Sequence, residues 1–278
     1  MAKNDLYKKN WYLEFLNPNE IHAHRLGKIV KNVKTKYHDI KIIDTLDYGR
    51  CFFLDGKLQS AELDEFVFHE ALVHPALFMH PKPQRIFIGG GGEGAVLREV
   101  LKHPSIKEVV MAETDKTVTD CAKEFLSKWH KGSFRDKRVK LFHQDAKKFF
   151  QKEKRKFDCI FLDIDSSEDV NKKFFDILKK RITEEGFVVV RSGSANINML
   201  KGFYGVFKTL KNSFEFVDPY FVPVSSFAGP RAFFLASKRK INPFAGADKK
   251  IKGLLRFYNT EVRESMFVVP PHIKKNLK

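Results

Sequence analysis

The run Ile86-Phe87-Ile88-Gly89-Gly90-Gly91-Gly92-Glu93-Gly94-Ala95 constrains this chain more than any other feature. An apolar strand that passes through consecutive glycines into a helical pattern is the context of a nucleotide-binding loop. A backbone without Cβ atoms there lets a ligand come close. The surroundings set the fold class. Short apolar runs at 85–89, 108–113, 139–143, 157–163 and 187–191 alternate with helical patterns at 95–102, 118–129, 146–152 and 170–180. This alternation predicts an α/β architecture, a doubly wound sheet with helices on both faces. Segments 214–222 and 232–236 read as strands pairing antiparallel at its edge. Residues 37–61 differ: they read as strands joined by tight turns, with a hairpin signal at Asp55-Gly56. The expected organisation is a small N-terminal β domain over 1–62 and a Rossmann-like domain over 63–278.

Composition narrows the class further. The chain has 278 residues, 43% of them hydrophobic, which is enough for a buried core and argues against disorder. No run approaches the roughly 20 apolar residues of a membrane span, and the first residues carry no apolar secretion segment, so a cytoplasmic protein is expected. Cys51, Cys121 and Cys159 are odd in number and widely spaced, which points to buried small hydrophobes rather than disulfides or a zinc site. The ten histidines include His69 and His74 five residues apart, not the i,i+4 spacing of a helical zinc pair, and no metal is expected. The 51 Lys+Arg against 34 Asp+Glu give a formal net charge of +17, which invites a polyanion partner. The lysines are nevertheless spread along the chain at helical spacings opposite phenylalanines, as solvated faces are.

Four strand ends carry the chemistry, the first three forming a nucleoside pocket. The glycine loop closes the first. Glu113 ends the second, about 20 residues beyond the loop, where a carboxylate accepts from both hydroxyls of an adenosyl ribose. Asp145 ends the third, where it either reads the adenine amino group or caps the following helix. Glu93 inside the loop either faces the ligand's non-nucleoside arm or is a helix-start glutamate favoured by the dipole. In the first role it attracts an ammonium and repels a carboxylate, which favours decarboxylated S-adenosylmethionine over the intact form. The fourth strand ends in Asp163, followed by Asp165, Glu168 and Asp169, which serve the site or form only a polar loop and cap. An amine nucleophile must lose a proton before it attacks beside a sulfonium, and Asp163 is best placed to orient it and take that proton.

These residues resemble the polyamine aminopropyltransferases, the spermidine and thermospermine synthase family. The resemblance covers nearly the whole chain, roughly 11–275. The strings Leu54-Asp55-Gly56-Lys57-Leu58-Gln59-Ser60-Ala61-Glu62, Asp64-Glu65-Phe66-Val67-Phe68-His69-Glu70 and Gly90-Gly91-Gly92-Glu93-Gly94 are closest to the thermospermine branch. It implies a methyltransferase-type sheet whose N-terminal unit caps the pocket and helps form a homodimer or homotetramer. It implies that His38, Gln59, Gly90, Gly92, Glu93, Glu113, Asp145 and Ala146 hold the decarboxylated cofactor. Asp163 becomes the catalytic acid, and Phe68, His69, Asp165 and Glu168 face the acceptor. The departures fall on the acceptor side. The family's motif ending Asp-Pro after the catalytic Asp is absent here, and the segment that follows is shorter. Phe68 stands where tyrosine is common, His38 where glutamine is usual, and Arg191-Ser192-Gly193 replaces a more neutral strand end.

The expected reaction is aminopropyl transfer to a di- or polyamine with release of methylthioadenosine. The alternatives are an amine N-methyltransferase using S-adenosylmethionine on the same fold, and a non-catalytic homologue binding a polyanion through its basic surface. With a polycationic acceptor and a net positive chain, the first reading requires an acidic cleft in a basic shell.

Overall fold

The computed structural model describes residues 10–164, 171–242, 251 and 253–277; Asp165, Glu168 and Asp169 lie outside them. The chain opens with five strands, β1 (Trp11–Asn17), β2 (Glu20–Lys34), β3 (Asp39–Thr45), β4 (Gly49–Leu54) and β5 (Lys57–Ala61), hydrogen-bonded in sequence order. All four pairings are antiparallel. The sequence pattern showed strands only from residue 37 onward. β2 escaped because register shifts between Leu26 and Lys28 and between Ile29 and Lys31 break its alternation with β3. Such bulges move successive apolar residues off a single face.

A seven-stranded sheet forms the main body. Its strands are β6 (Arg85–Gly90), β7 (Glu108–Ala112), β8 (Val139–Phe142), β9 (Phe157–Asp163), β10 (Ile182–Ser194), β11 (Phe216–Val224) and β12 (Gly229–Ser237), in the order β11-β12-β10-β9-β6-β7-β8. β6 to β10 run parallel, while β12 pairs antiparallel with β10 and β11 with β12. The expected antiparallel edge is present. β10 is longer than the apolar run 187–191 suggests, because the polar Thr183-Glu184-Glu185 segment hides its first turn of pairing beside Phe157. Among the described residues the α-helices are α1 (Glu65–Met79), α2 (Ala95–Leu101), α3 (Lys116–Phe125), α4 (Ser127–His130), α5 (Ala146–Lys152), α6 (Lys172–Arg181), α7 (Leu200–Lys211), α8 (Thr260–Met266) and α9 (Pro271–Lys274). The single helix expected over 118–129 is broken at Leu126, whose buried side chain and φ of −116° turn the chain so that Trp129 also packs inside.

Both faces of the sheet are covered. Ile86, Ile88 and Phe161 pack with α1 and α2, whereas Phe87, Ile160 and Leu162 pack with α5, α6 and α7. Successive side chains of a strand point to opposite faces, so a parallel strand covered twice reads as an unbroken apolar run. The three cysteines are free and buried, as small hydrophobes.

α1 is different in kind. Twelve of its fifteen residues are buried, including Glu65, His69, Glu70 and His74. These charges are not left alone. Arg98 of α2 donates through Nη1 and Nη2 to the two carboxylate oxygens of Glu65 at 2.9 and 2.8 Å, and through Nε to Glu99 at 2.7 Å. The other Glu99 oxygen meets His74 Nε2 at 2.9 Å and Lys102 at 2.6 Å. A buried ion pair contributes little net stability, but deleting one partner leaves an uncompensated charge. Arg98→Met is therefore expected to lower unfolding free energy by about 3–5 kcal/mol in urea titrations. A loss below about 1 kcal/mol would show that Glu65 and Glu99 are solvated rather than held.

Candidate active site

β6, β7 and β8 follow one another outward from the middle of the sheet, while β9 and β10 are added on the other side of β6. The walk of the chain thus reverses between β6 and β9. Ligands of open α/β sheets bind outside the carboxyl ends of the strands at such a point. A cleft of ≈ 240 Å³ opens there, lined from below by the glycine loop, Glu113, Asp145, Ala146 and Asp163 and from above by His38, Asp55, Lys57 and Gln59 of the N-terminal sheet. The loop's glycines are needed at two positions. Gly90 has φ of +77°, and a Cβ on it would lie 2.4 Å from the carbonyl oxygen of Asp163. A Cβ on Gly92 would lie 2.8 Å from Glu113 Oε2 and 2.5 Å from Val118. The bare backbone lets the ends of three strands converge.

Each proposed cofactor residue reaches this cleft. Glu113 is buried, with Oε1 accepting from the backbone N–H of Asp115 at 3.0 Å. Burial, above all, pushes its carboxyl up to about 7, with the negative charge of Glu93 adding to the effect. Asp145 caps α5 by accepting from the Lys148 N–H at 3.0 Å while still lining the cleft, so the two roles weighed for it are compatible. His38 Nδ1 is 2.8 Å from Asp55 Oδ2, and both residues line the cleft. Gln59 accepts from Arg191 Nη1 at 2.9 Å.

The acceptor-side residues fall differently. His69 is wholly buried and sits behind Glu93 rather than on the cleft wall. Its Nε2 is 3.0 Å from Glu93 Oε1 and its Nδ1 2.8 Å from Glu65 Oε2. Burial alone would lower its pKa, but the hydrogen bonds to Glu65 and Glu93 carry it up to about 10, so the ring is an imidazolium held between the two carboxyl groups. Phe68 likewise lies off the cleft, packed against Phe227 and Phe233 at centroid distances of 5.7 and 5.1 Å. Asp163 ends β9, paired in register with Gly90, and is raised above the ordinary carboxylate range by burial first and by Glu93 second. A carboxyl raised in this way binds a proton more readily than an ordinary carboxylate does. The buried chain Arg98–Glu65–His69–Glu93 was not read from sequence. Its only trace there is the i,i+4 pair Glu65 and His69 inside an otherwise apolar helix.

Two groups of histidine and carboxylate atoms lie within 4.8 Å of one another among the described residues, His69–Glu93–Asp163 and Glu14–His22–His24. In the first, both ring nitrogens of His69 are already engaged. In the second, Glu14 accepts from the Leu58 N–H at 2.9 Å and meets His24 Nε2 at 3.2 Å. The cleft itself carries the carboxylates of Asp55, Glu93, Glu113, Asp145 and Asp163 against Lys57, Lys147 and Arg191. Among the described lining residues the balance is acidic, opposite to that of the whole chain.

The spermine/spermidine synthase domain profile matches residues 65–245, and the spermidine synthase tetramerisation domain profile matches residues 10–62. This chain belongs to the spermine/spermidine synthase family. It is a transferase fold of the methyltransferase-like kind. A polyamine aminopropyltransferase of Sulfurisphaera tokodaii is 37% identical over 288 residues, covering 98% of this chain and 95% of the relative. One from Sulfolobus acidocaldarius is 34% identical over 289 residues, with the same coverage of 98% and 95%. Among solved structures, spermidine synthase from Thermotoga maritima superposes with a TM-score of 0.90 at 28% identity, covering 97% of this chain and 95% of that one. A spermidine synthase in complex with the transition state analogue AdoDATO also gives 0.90 at 28%, covering 97% and 94%. These relatives carry the family and not its thermospermine branch.

The Glu113 carboxyl makes stability depend on pH in a defined direction. Its folded pKa of about 7 exceeds the ordinary glutamate value of 4.5, so between those values the folded state holds more protons than the unfolded one. Stability from this group therefore falls as pH rises through that window. Relative to Glu113→Gln, the wild-type protein is expected to lose on the order of 3 kcal/mol between pH 4.5 and 7. Parallel pH curves for the two proteins would refute the burial argument.

Proposed function

We propose that this protein transfers the aminopropyl group of decarboxylated S-adenosylmethionine to the amine of a di- or polyamine and releases methylthioadenosine. The observation that carries the reading is the pair of buried carboxylates, Glu93 and Asp163, close together at the inner end of the cleft beyond the glycine loop. Two acids held there need cations, and the reaction supplies them as a sulfonium arm ending in an ammonium and an acceptor amine. Glu93, hydrogen-bonded to His69 at 3.0 Å, faces the arm and disfavours the α-carboxylate of the intact cofactor. Glu113 takes the ribose hydroxyls, and Asp145 with Ala146 the adenine. The names of the relatives above support the same assignment.

The chemistry is an in-line displacement. The acceptor nitrogen forms a bond to the propyl carbon beside sulfur, the carbon–sulfur bond breaks, and its electron pair leaves with neutral methylthioadenosine. The proton shed by the acceptor goes to Asp163. Holding the two reactants in line supplies most of the rate, and proton transfer adds about 10²–10⁴-fold. No step calls for a metal. We take residues 1–62 as the capping unit and 63–278 as the catalytic unit. We also read the exposed Leu13, Phe15, Ile21 and Ile29, each about half accessible, as the apolar face through which copies assemble into a homodimer or homotetramer. Among the described residues no helix is long and apolar enough to cross a membrane; we place the reaction in the cytoplasm.

The test is incubation with decarboxylated or intact S-adenosylmethionine and a panel of putrescine, spermidine and agmatine, with products read by mass spectrometry. Asp163→Asn is expected to lower kcat by about 10²–10⁴-fold while methylthioadenosine still binds. An aminopropylated amine lost in that variant supports the proposal. A methylated amine with S-adenosylhomocysteine would replace it with N-methyl transfer, which Arg191 would aid by offering a guanidinium to the α-carboxylate.

A further inference from the structure

Arg191 is the charged group of the cleft that the reaction above does not use. It stands on β10 beside the end of β9 and is only 5% exposed. Its Nη1 donates to Gln59 Oε1 at 2.9 Å and reaches Asp163 Oδ1 at 3.4 Å. The guanidinium carbon lies 5.3 Å from the centre of the Phe68 ring and 6.0 Å from that of Phe227. Its Nε is buried without a hydrogen-bond acceptor. The two rings offer π-faces but no carboxylate, and among the described residues Asp163 is the acid with which Arg191 pairs. The contact is longer than the roughly 2.7–2.9 Å of a tight charge-assisted hydrogen bond. The guanidinium is thus anchored by Gln59 and the rings and only loosely held by the acid.

That placement matters because the acceptor needs the same carboxylate. An amine arrives at neutral pH as an ammonium, and two cations a few ångströms apart in a buried pocket repel strongly. The groups that face Asp163 are Glu93 from the glycine loop, His69 from α1 and Arg191 from β10. Glu93 is already balanced by His69, at 3.0 Å. The negative charge left for the incoming amine is the one that Arg191 partly neutralises.

We propose that Arg191 is the acceptor-selecting residue of this cleft, an internal counter-ion that the acceptor's ammonium must displace from Asp163 before the nitrogen is deprotonated. This rests on the aminopropyl-transfer reading. Arg191 then weakens acceptor binding in the resting site and keeps the buried Asp163 from an uncompensated charge while the site is empty. It also lowers the proton affinity of Asp163, opposing burial and Glu93. A purely structural arginine would do the first of these to neither substrate nor proton.

The experiment compares the full-length wild-type protein with Arg191→Gln and Arg191→Lys in steady-state assays with decarboxylated S-adenosylmethionine and putrescine or spermidine. In Arg191→Gln, acceptor KM is expected to fall about tenfold, because one like-charge contact is removed. The acidic limb of kcat/KM against pH is expected to move upward, since a carboxyl that loses a neighbouring cation holds its proton more tightly. Arg191→Lys, which keeps the charge but loses the planar fork held by Gln59 and the rings, should leave the acidic limb closer to wild type than Arg191→Gln does. An acceptor KM that is unchanged or raised in Arg191→Gln, or an acidic limb that does not move, overturns the proposal. If the wild-type protein makes no aminopropylated product, the proposed function fails on its own account. Arg191 is then judged by calorimetric titration of putrescine into protein saturated with methylthioadenosine. Binding about tenfold tighter in Arg191→Gln supports competition at Asp163, and equal or weaker binding refutes it.

Discussion

Everything at this site depends on how closely β6 approaches β9. The two strands are parallel neighbours at the reversal point of the sheet, and their last paired residues are Gly90 and Asp163. A side chain on Gly90 would strike the backbone of Asp163, so the strands meet only because one end is bare. That meeting sets the Asp163 carboxyl beneath the glycine loop. The loop in turn must pass over Glu113, and Gly92 leaves the room for it. One backbone constraint therefore brings together residues from three strands, which is why the loop is glycine-rich over four positions rather than one.

Charge is the second organising element. The chain as a whole is strongly basic, yet acidic side chains outnumber lysines and arginines among the described residues that line its cleft. Burying acids raises their proton affinity unless cations hold them, and the molecule uses both outcomes. Glu93 meets the buried imidazolium of His69, which also bonds Glu65, and Glu65 in turn is held by Arg98. Glu113 and Asp163 are left partly uncompensated and are raised. The first acid is suited to holding a fixed positive charge, and Asp163 to receiving a proton. The surrounding lysines sit on solvated faces, as on α6, where Lys172, Lys173 and Lys180 are exposed and Phe174, Phe175 and Leu178 are buried. Long-range repulsion between exposed charges and a cationic substrate is screened within about 8–10 Å at physiological salt, so a local acidic cleft prevails over a basic exterior.

Much of the fold was legible because its strands are short, apolar and punctuated. β9 and α5 occupy the residues expected of them, and the antiparallel edge of β11 and β12 is where the pattern puts it. β1 and β2 were not legible, since a bulged, half-exposed hairpin has no steady period. The split of the helix at Leu126 was hidden as well, because the apolar spacing continues through it and only packing decides that the chain turns. On the acceptor side, Phe68 and His69 were legible as residues but not as positions. A helix buried nearly all round gives no sign of which of its faces meets the cleft, and both side chains turn out to lie behind it.

The sequence by itself determined the class of sheet, the edge at which its cleft opens and the identity of the acids at its strand ends. These follow from local rules: strand period, glycine conformation and the position of a residue at the end of an apolar run. Only the tertiary structure decided which charges face one another. Glu65, Arg98 and His69 are separated by up to 33 positions and become one buried network, and Arg191 reaches Asp163 across 28. Nothing local encodes such pairings. They arise because a charge removed from water must find an opposite charge nearby, and the sheet's reversal at β6 and β9 dictates which ones are near.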